Sequence, residues 1–267
     1  MKQIKSIKKS GKQVCFDCIL LEYCENGSLF EWIEGTGPFS EILARSIFHQ
    51  LLQSVEFIHS QGVFHFDIKP ENILVSRNYQ IKITDFGLAQ NVSDIERILK
   101  MNNINFKPTV YHAPELHEYN AKDFAAVDIF SLGVILFILL TGHLPFKEAS
   151  PENHHYELIK NNQYSQFWKI HQKNKGQKSF FSEELKDFLQ QLFEFTPEKR
   201  LKTEQIQQHA WYNKNVLSTK EIYEEFEKRK QEFLHYKEEM LIEKNYQKIE
   251  KLKPDIFNQI TLKPTYW

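Results

Sequence analysis

The chain has 267 residues, 41% hydrophobic and 26% charged, with a formal net charge of −1 and a pI near 6.8. That content suits one large or two small globular domains with a sizeable core, and the balanced charge supplies no overall field to draw in nucleic acid or an anionic membrane. Cys15, Cys18 and Cys24 are too few and too close for a disulfide framework, and Cys15-x-x-Cys18 lacks a second pair or a nearby histidine to complete a zinc site.

The three cysteines read as free thiols in a reducing cytosol, and a cytoplasmic location is expected. The basic N-terminus, Met1 to Lys9, leads into no apolar stretch of the secretory kind. Cys15 to Tyr23 predicts a strand, which Asn26-Gly27-Ser28 breaks while capping a short helix through Ile33. Ser40 is the N-cap of a second helix, with Glu41 against the positive end of its dipole. Ile47, Leu51, Val55 and Ile58 follow at steps of four, four and three, one buried face that runs to His59 before Gly62.

Val63 to Val75 predicts two short strands flanking a tight polar loop, closed by Pro70, which fixes its own φ and denies the chain a helix. Tyr79 to Thr84 alternates as a strand and delivers Asp85. Phe124 to Leu140 predicts a helix whose Gly133 permits a close neighbour, stopped by Thr141-Gly142. Its most apolar part, Ile129 to Leu140, is short of the ~20 residues needed to cross a bilayer, so a buried core helix and no membrane span are expected. Further helices are expected around Tyr156 to Ile159, Phe167-Trp168 and Ser182 to Leu189.

Beyond Trp211 the composition changes. Thr219 to Lys253 mixes Glu and Lys densely, with Ile222, Phe226, Phe233, Tyr236 and Met240 at steps near three and four, broken at Arg229. Two outcomes stand: an amphipathic helix packed on the body or on a protein partner, or a solvated charged helix. Pro254 is expected to stop it.

Three motifs carry chemistry. His65-Phe66-Asp67-Ile68-Lys69-Pro70-Glu71-Asn72 resembles the catalytic loop of protein kinases, Thr84-Asp85-Phe86-Gly87 places Asp85 18 positions after Asp67, and Tyr111-His112-Ala113-Pro114-Glu115 closes the segment. One tripeptide is a weak signal; three in order and spacing exclude chance. The chain is identified as similar to eukaryotic-type serine/threonine protein kinase catalytic domains, with most of the N-terminal lobe missing.

The resemblance implies an α+β, protein-kinase-like fold: a mainly helical large lobe (C-lobe), remnant N-lobe strands and a C-terminal charged helix. Its expected divisions are 1–25, the remnant strands and hinge; 26–213, the C-lobe; and 214–267, the helical tail. ATP and Mg²⁺ are the implied cofactors and a protein hydroxyl the acceptor. Asp67 would orient the attacking hydroxyl, and Lys69 would lie beside the γ-phosphate, a lysine here resembling the serine/threonine-specific branch. Asn72 and Asp85 would hold the metal. Glu22 and Cys24 would offer backbone groups to the adenine, with Leu21 at the back of the pocket, Leu74 as its floor and Glu71 near the ribose or the substrate. Asp128 would brace the catalytic loop, and Arg200 would pair with a buried Glu115.

Departures from the family pattern set the alternative. Phe66 stands where the family has an arginine that binds an activation-loop phosphate, so phosphorylation there should not switch this protein in the usual way. Pro108 falls where a hydroxyl residue should support Asp67, with Thr109 one step out of register. No Gly-rich loop, strand lysine or partner helix glutamate precedes the hinge, and Lys2, Lys5, Lys8, Lys9 and Lys12 lack the strand context. The expected function is a serine/threonine kinase; the alternative is a pseudokinase or truncated fragment that acts as a protein-binding scaffold.

Overall fold

Phe124 to Thr141 is apolar on nearly every side, and such a helix is stable only where all its faces are covered. In a computed structural model it is the centre of the molecule. The structure describes residues 2–5, 15–93, 109–117, 123–150, 152–173 and 181–260, with side chains over 19–93, 109–117, 123–150, 152–172 and 181–247. Pro108 and Lys8, Lys9 and Lys12 lie outside the described residues.

In chain order the elements are strands β1 (Lys2–Lys5) and β2 (Cys15–Cys18), helices α1 (Leu29–Thr36) and α2 (Glu41–Ser60), and strands β3 (Val63–Phe64), β4 (Ile73–Val75), β5 (Ile81–Ile83) and β6 (Gln90–Asn91). Then come helices α3 (Pro114–His117), α4 (Phe124–Thr141), α5 (His154–Lys160), α6 (Tyr164–Lys173), α7 (Glu183–Leu192), α8 (Thr203–Gln208) and α9 (Thr219–Ile260). The fold is α+β and mainly helical. Its strands form three antiparallel pairs, β1 with β2, β3 with β6 and β4 with β5.

Helix starts follow the predicted caps. Ser28 and Ser40 each accept a backbone N–H of the first turn, from Glu31 and Leu43, and Ser182, placed by the sequence inside its helix, is likewise a cap that accepts the Leu185 N–H. Helix α1 runs to Thr36, one turn beyond the predicted Ile33. Helix α4 spans 18 residues, enough by length and composition to cross a membrane, but 89% of it is buried inside the protein. Gly133 lets α7 pass closely, since a Cβ there would stand 2.9 Å from Leu192 Cβ. Pro70 does not deny the chain a helical turn: Pro70–Asn72 is a single 3₁₀ turn with proline at its first position, where no N–H is needed.

The strand predicted from Cys15 to Tyr23 ends at Cys18. Strand β1 pairs with Cys15–Cys18, and residues 19–24 have no ladder partner among the described residues, with 19–23 exposed. Leu21, expected behind a pocket, is 70% exposed, and Ile19, Leu20 and Tyr23 are exposed beside it. Alternation supplies a strand only where a neighbour accepts its hydrogen bonds.

One buried titratable group makes stability pH-dependent. His171 on α6 lies among Phe137, Phe167, His143 and His155, and burial, reinforced by those two histidines and opposed by the Pro145 carbonyl, pushes it down to about 4. The unfolded chain takes up this proton below about pH 6.5 while the folded chain refuses it until about 4. Stability is therefore lost as pH falls through that window, by on the order of 2 kcal/mol at pH 5. Urea midpoints at pH 7 and pH 5 check this; His171→Leu should be less acid-sensitive than the wild type, and equal sensitivity would refute the assignment.

The charged tail is not a wholly solvated helix. Ile222, Phe226 and Phe233 of α9 are buried, and α9 packs along α1. Trp32 stacks flat on Phe233 at 4.0 Å between centroids and meets Phe226 edge-on at 4.9 Å. Arg229, read as a break in the apolar stripe, belongs to the packed face: it lies 4.7 Å over the Phe39 ring and donates to the Thr36 and Pro38 carbonyls, where α1 ends and a cation is favoured. Further on, Met240, Leu241, Ile242 and Tyr246 are exposed. Pro254 does not stop the helix, which continues to Ile260; one missing N–H and a crowded preceding turn can bend a helix without ending it.

Candidate active site

The loop between β3 and β4 is organised by one buried carboxylate. Asp128 of α4 accepts the His65 N–H on Oδ2 and the Phe66 N–H on Oδ1, both at 2.9 Å, and its Oδ2 lies 2.8 Å from His59 Nε2 of α2. Aiming two successive N–H groups at one carboxylate needs a sharp turn. Phe66 supplies it with φ of +61°, a left-handed conformation uncommon for a bulky residue and held here by those bonds. The expected brace is thus present, and His59 is a member the sequence reading missed: it sits 69 positions from Asp128, with no local signal to link them.

His65 ties the loop to the second motif. Its Nε2–H donates to the Thr84 carbonyl at 3.1 Å, while Nδ1 accepts the Asp67 N–H at 3.3 Å, which sets the tautomer. Asp67 is buried and its carboxylate is fully engaged: Lys69 Nζ is 2.9 and 2.7 Å from its two oxygens, and Asn72 Nδ2 donates to Oδ2 at 2.8 Å and to the Asp67 carbonyl at 2.9 Å. Three of the predicted residues are therefore one hydrogen-bonded set.

Strands β4 and β5 bring the fourth. Ile73 pairs with Ile83, and the Thr84 N–H donates to the Asn72 carbonyl at 2.9 Å, so Asp85 stands one residue beyond the position opposite Asn72. Asp85 is exposed, with φ of +61°, and its Oδ1 accepts the Gly87 N–H at 3.2 Å. Phe86 beside it is 48% exposed, its ring 4.8 Å from His65. Among the described residues no cluster of three His, Cys, Asp or Glu side chains forms a metal site.

The expected nucleotide residues are spread along one edge. Ile73 and Val75 face the core, so Leu74 between them faces away, bridged to Ser28. Cys24 is half-buried, its carbonyl accepts the Gly27 N–H at 3.3 Å, and burial first, then the Glu22 charge, raise its thiol above the ordinary value against the pull of Lys82. Glu22 is exposed and 3.4 Å from Lys82. Glu71 is exposed on the 3₁₀ turn. Thr109 is held in its own turn, its hydroxyl accepting the Tyr111 N–H at 3.4 Å.

Away from the loop, Arg200 and Glu115 form the expected buried pair, with Nη1 to Oε1 at 2.6 Å and Nη2 to Oε2 at 3.0 Å.

Comparison with known proteins agrees with this arrangement. The family model for the protein kinase domain matches residues 3–212. CBL-interacting protein kinase 26 of Oryza sativa subsp. japonica is 35% identical over 222 residues, covering 82% of this chain and 42% of that protein. CBL-interacting serine/threonine-protein kinase 12 of Arabidopsis thaliana is 36% identical over 201 residues, 75% of this chain and 38% of that protein. The chain thus spans well under half the length of these relatives. With a domain match over most of its length, relatives of this identity and the loop geometry above, the chain belongs to the protein kinase family, among the serine/threonine kinases.

Proposed function

We propose that this chain transfers the γ-phosphate of ATP to a serine or threonine hydroxyl of a protein substrate. The observation that carries the reading is the Asp67, Lys69 and Asn72 set, joined through the β4–β5 pair to Asp85. Phosphoryl transfer asks the protein mainly to position two substrates and offset phosphate charge. Asp67, held by Asn72, orients the attacking hydroxyl and receives its proton; Lys69, already beside that carboxylate, reaches the γ-phosphate.

The donor set fits Mg²⁺. Asn72 commits its amide nitrogen to Asp67, which leaves its oxygen as a ligand, and the Asp85 carboxylate supplies a second hard donor. Asn72 and Asp85 would hold Mg²⁺, which would supply positive charge to offset that of the phosphates. Leu74, Glu22 and Cys24 line the adenine edge, and Glu71 faces ribose or substrate. Residues 1–25, 26–213 and 214–267 are, in this reading, hinge strands, lobe and tail, and the exposed outer part of α9 is the stretch for a protein partner. Phe66 packs with Phe64 and Phe124 at 6.4 and 5.7 Å between centroids. An apolar cluster thus occupies the place of a phosphate-binding arginine, and activation-loop phosphorylation is not the switch.

A second reading, a protein-binding scaffold, is favoured by exposed apolar side chains. Leu20 is 90% and Phe57 68% exposed, and a hollow of about 490 Å³ beside Phe86 is lined by Ser54, Ile81 and Ile83. The 267 residues also contain no Gly-rich loop, and Lys2 and Lys5, although they lie in β1, are not in a Val-Ala-Ile-Lys-like segment; the absence of one contact of that kind costs on the order of 10²-fold in rate.

Thermal unfolding with and without Mg-ATP separates the two. Saturating nucleotide should raise the midpoint by roughly 5–10 °C, and Asp85→Asn should abolish the rise. No rise at millimolar Mg-ATP would refute the enzyme reading and leave the scaffold.

A further inference from the structure

We propose that α9 is a positioning element of the nucleotide site, holding the turn Asn26–Ser28 in place through Trp32 and Glu31; this rests on the reading that the segment ending at Cys24 receives the adenine. The match to the kinase domain ends at residue 212, so these contacts come from outside it.

The turn directly follows that segment and is anchored from two sides. On the inside, β4 holds it: Asn26 N–H donates to the Val75 carbonyl at 3.3 Å, Val75 N–H to the Gly27 carbonyl at 2.8 Å, and Asn26 Nδ2 to the Ser76 carbonyl at 2.8 Å. On the outside, two side chains of α1 hold it. Trp32 Nε1–H donates to the Asn26 carbonyl at 2.8 Å, and the Ser28 N–H donates to Glu31 Oε2 at 2.8 Å.

Both outer anchors are set by α9. The Trp32 ring is fully buried, with Phe233 flat against one face and Phe226 at its edge; without α9 that face would lie open and the indole would lose the packing that aims its N–H. Glu31 uses its second oxygen for an ion pair with Lys237. Burial opposes ionisation of Glu31, but Lys237 and the Ser28 N–H outweigh it and hold the carboxyl below its ordinary value. The two helices touch closely enough that a Cβ at Gly35 would stand 2.8 Å from Tyr236 Cβ. Arg229, donating to the carbonyls at the end of α1, fixes the register of one helix on the other. A shift of α9 must therefore move Trp32 and Glu31 together, and the turn with them.

Amide exchange on the full chain tests this, read at Asn26, Gly27 and Ser28 and, for reference, within α4. Phe233→Ala should speed exchange at the turn by about tenfold and leave α4 unchanged, since only local opening is affected; Phe233→Tyr, which keeps the ring, should restore protection. Lys237→Ala, exposed and harmless to folding, should speed exchange at Ser28 alone by a few-fold, and it carries the test if Phe233→Ala does not fold. Equal acceleration in the turn and α4 would mean that α9 adds only global stability, and unchanged exchange would mean no coupling; either overturns the proposal.

Mg-ATP dissociation constants on the same proteins complete the test. A turn loosened together with about tenfold weaker nucleotide binding supports it. A loosened turn with unchanged affinity overturns it. A wild type that binds no nucleotide, with the turn still loosened by the variants, supports the coupling of α9 to the turn and refutes the nucleotide reading instead.

Discussion

Arg200→Leu should destabilise the protein by roughly 3–5 kcal/mol, the range for breaking a buried ion pair from one side. The Arg200 side chain has no solvent exposure and Glu115 has 6%. Besides its two bonds to Glu115, the guanidinium donates to the Ala126 carbonyl at 2.7 Å and to the Glu194 carbonyl at 3.1 and 2.9 Å, and it lies 5.0 Å over the Phe130 ring. Leucine would leave the Glu115 carboxylate and the Glu194 carbonyl buried without this donor. The penalty comes from those orphaned groups rather than from the strength of the pair. The double variant Arg200→Leu with Glu115→Leu should therefore recover part of the loss in urea unfolding. If the single variant lost less than about 1 kcal/mol, Glu115 would have to be reached by water or another donor, and the buried pair would not be what joins α3 to the segment before α8.

Asp67→Asn should lower phosphoryl transfer to a serine-containing peptide by roughly 10²- to 10⁴-fold, the span for removing a positioned acid–base group. The carboxamide keeps the size of the side chain but cannot take a proton from the attacking hydroxyl, and it offers Lys69 no counter-charge. Nucleotide binding should survive, because Asn72 and Asp85 remain. The contrast is with Asp85→Asn, which should remove the Mg-ATP-dependent rise in melting temperature. Single-turnover rates beside thermal shifts distinguish the two losses. An Asp67→Asn protein with a wild-type rate would place the proton acceptor elsewhere.

Features that depend on a few neighbouring residues were legible in the sequence. Ser28 and Ser40 were readable as caps because a short hydroxyl reaches an N–H three residues on, and α2 and α4 because their apolar residues determine what they bury. The loop between β3 and β4 was legible through its motif, and the set formed by Asp67, Lys69 and Asn72 spans only six residues. Asp128 and the Arg200–Glu115 pair were legible through resemblance to the family, not through spacing.

What the tertiary structure decided lies farther apart. Nothing near Trp32 announces that Phe226 and Phe233 will enclose it, nor does His59 reveal Asp128. Arg229 broke an apolar pattern on paper, yet it packs, because the opposing surface offers the free carbonyls at the end of α1 and the face of Phe39. Residues 19–24 have a strand's composition but, among the described residues, no strand alongside them, so they pair with none of the described strands. Capping and periodicity are set within one or two turns of chain, and the sequence by itself determined those; a side chain that bonds or packs at long range is decided by the surface it meets, and only folding brings that surface to it.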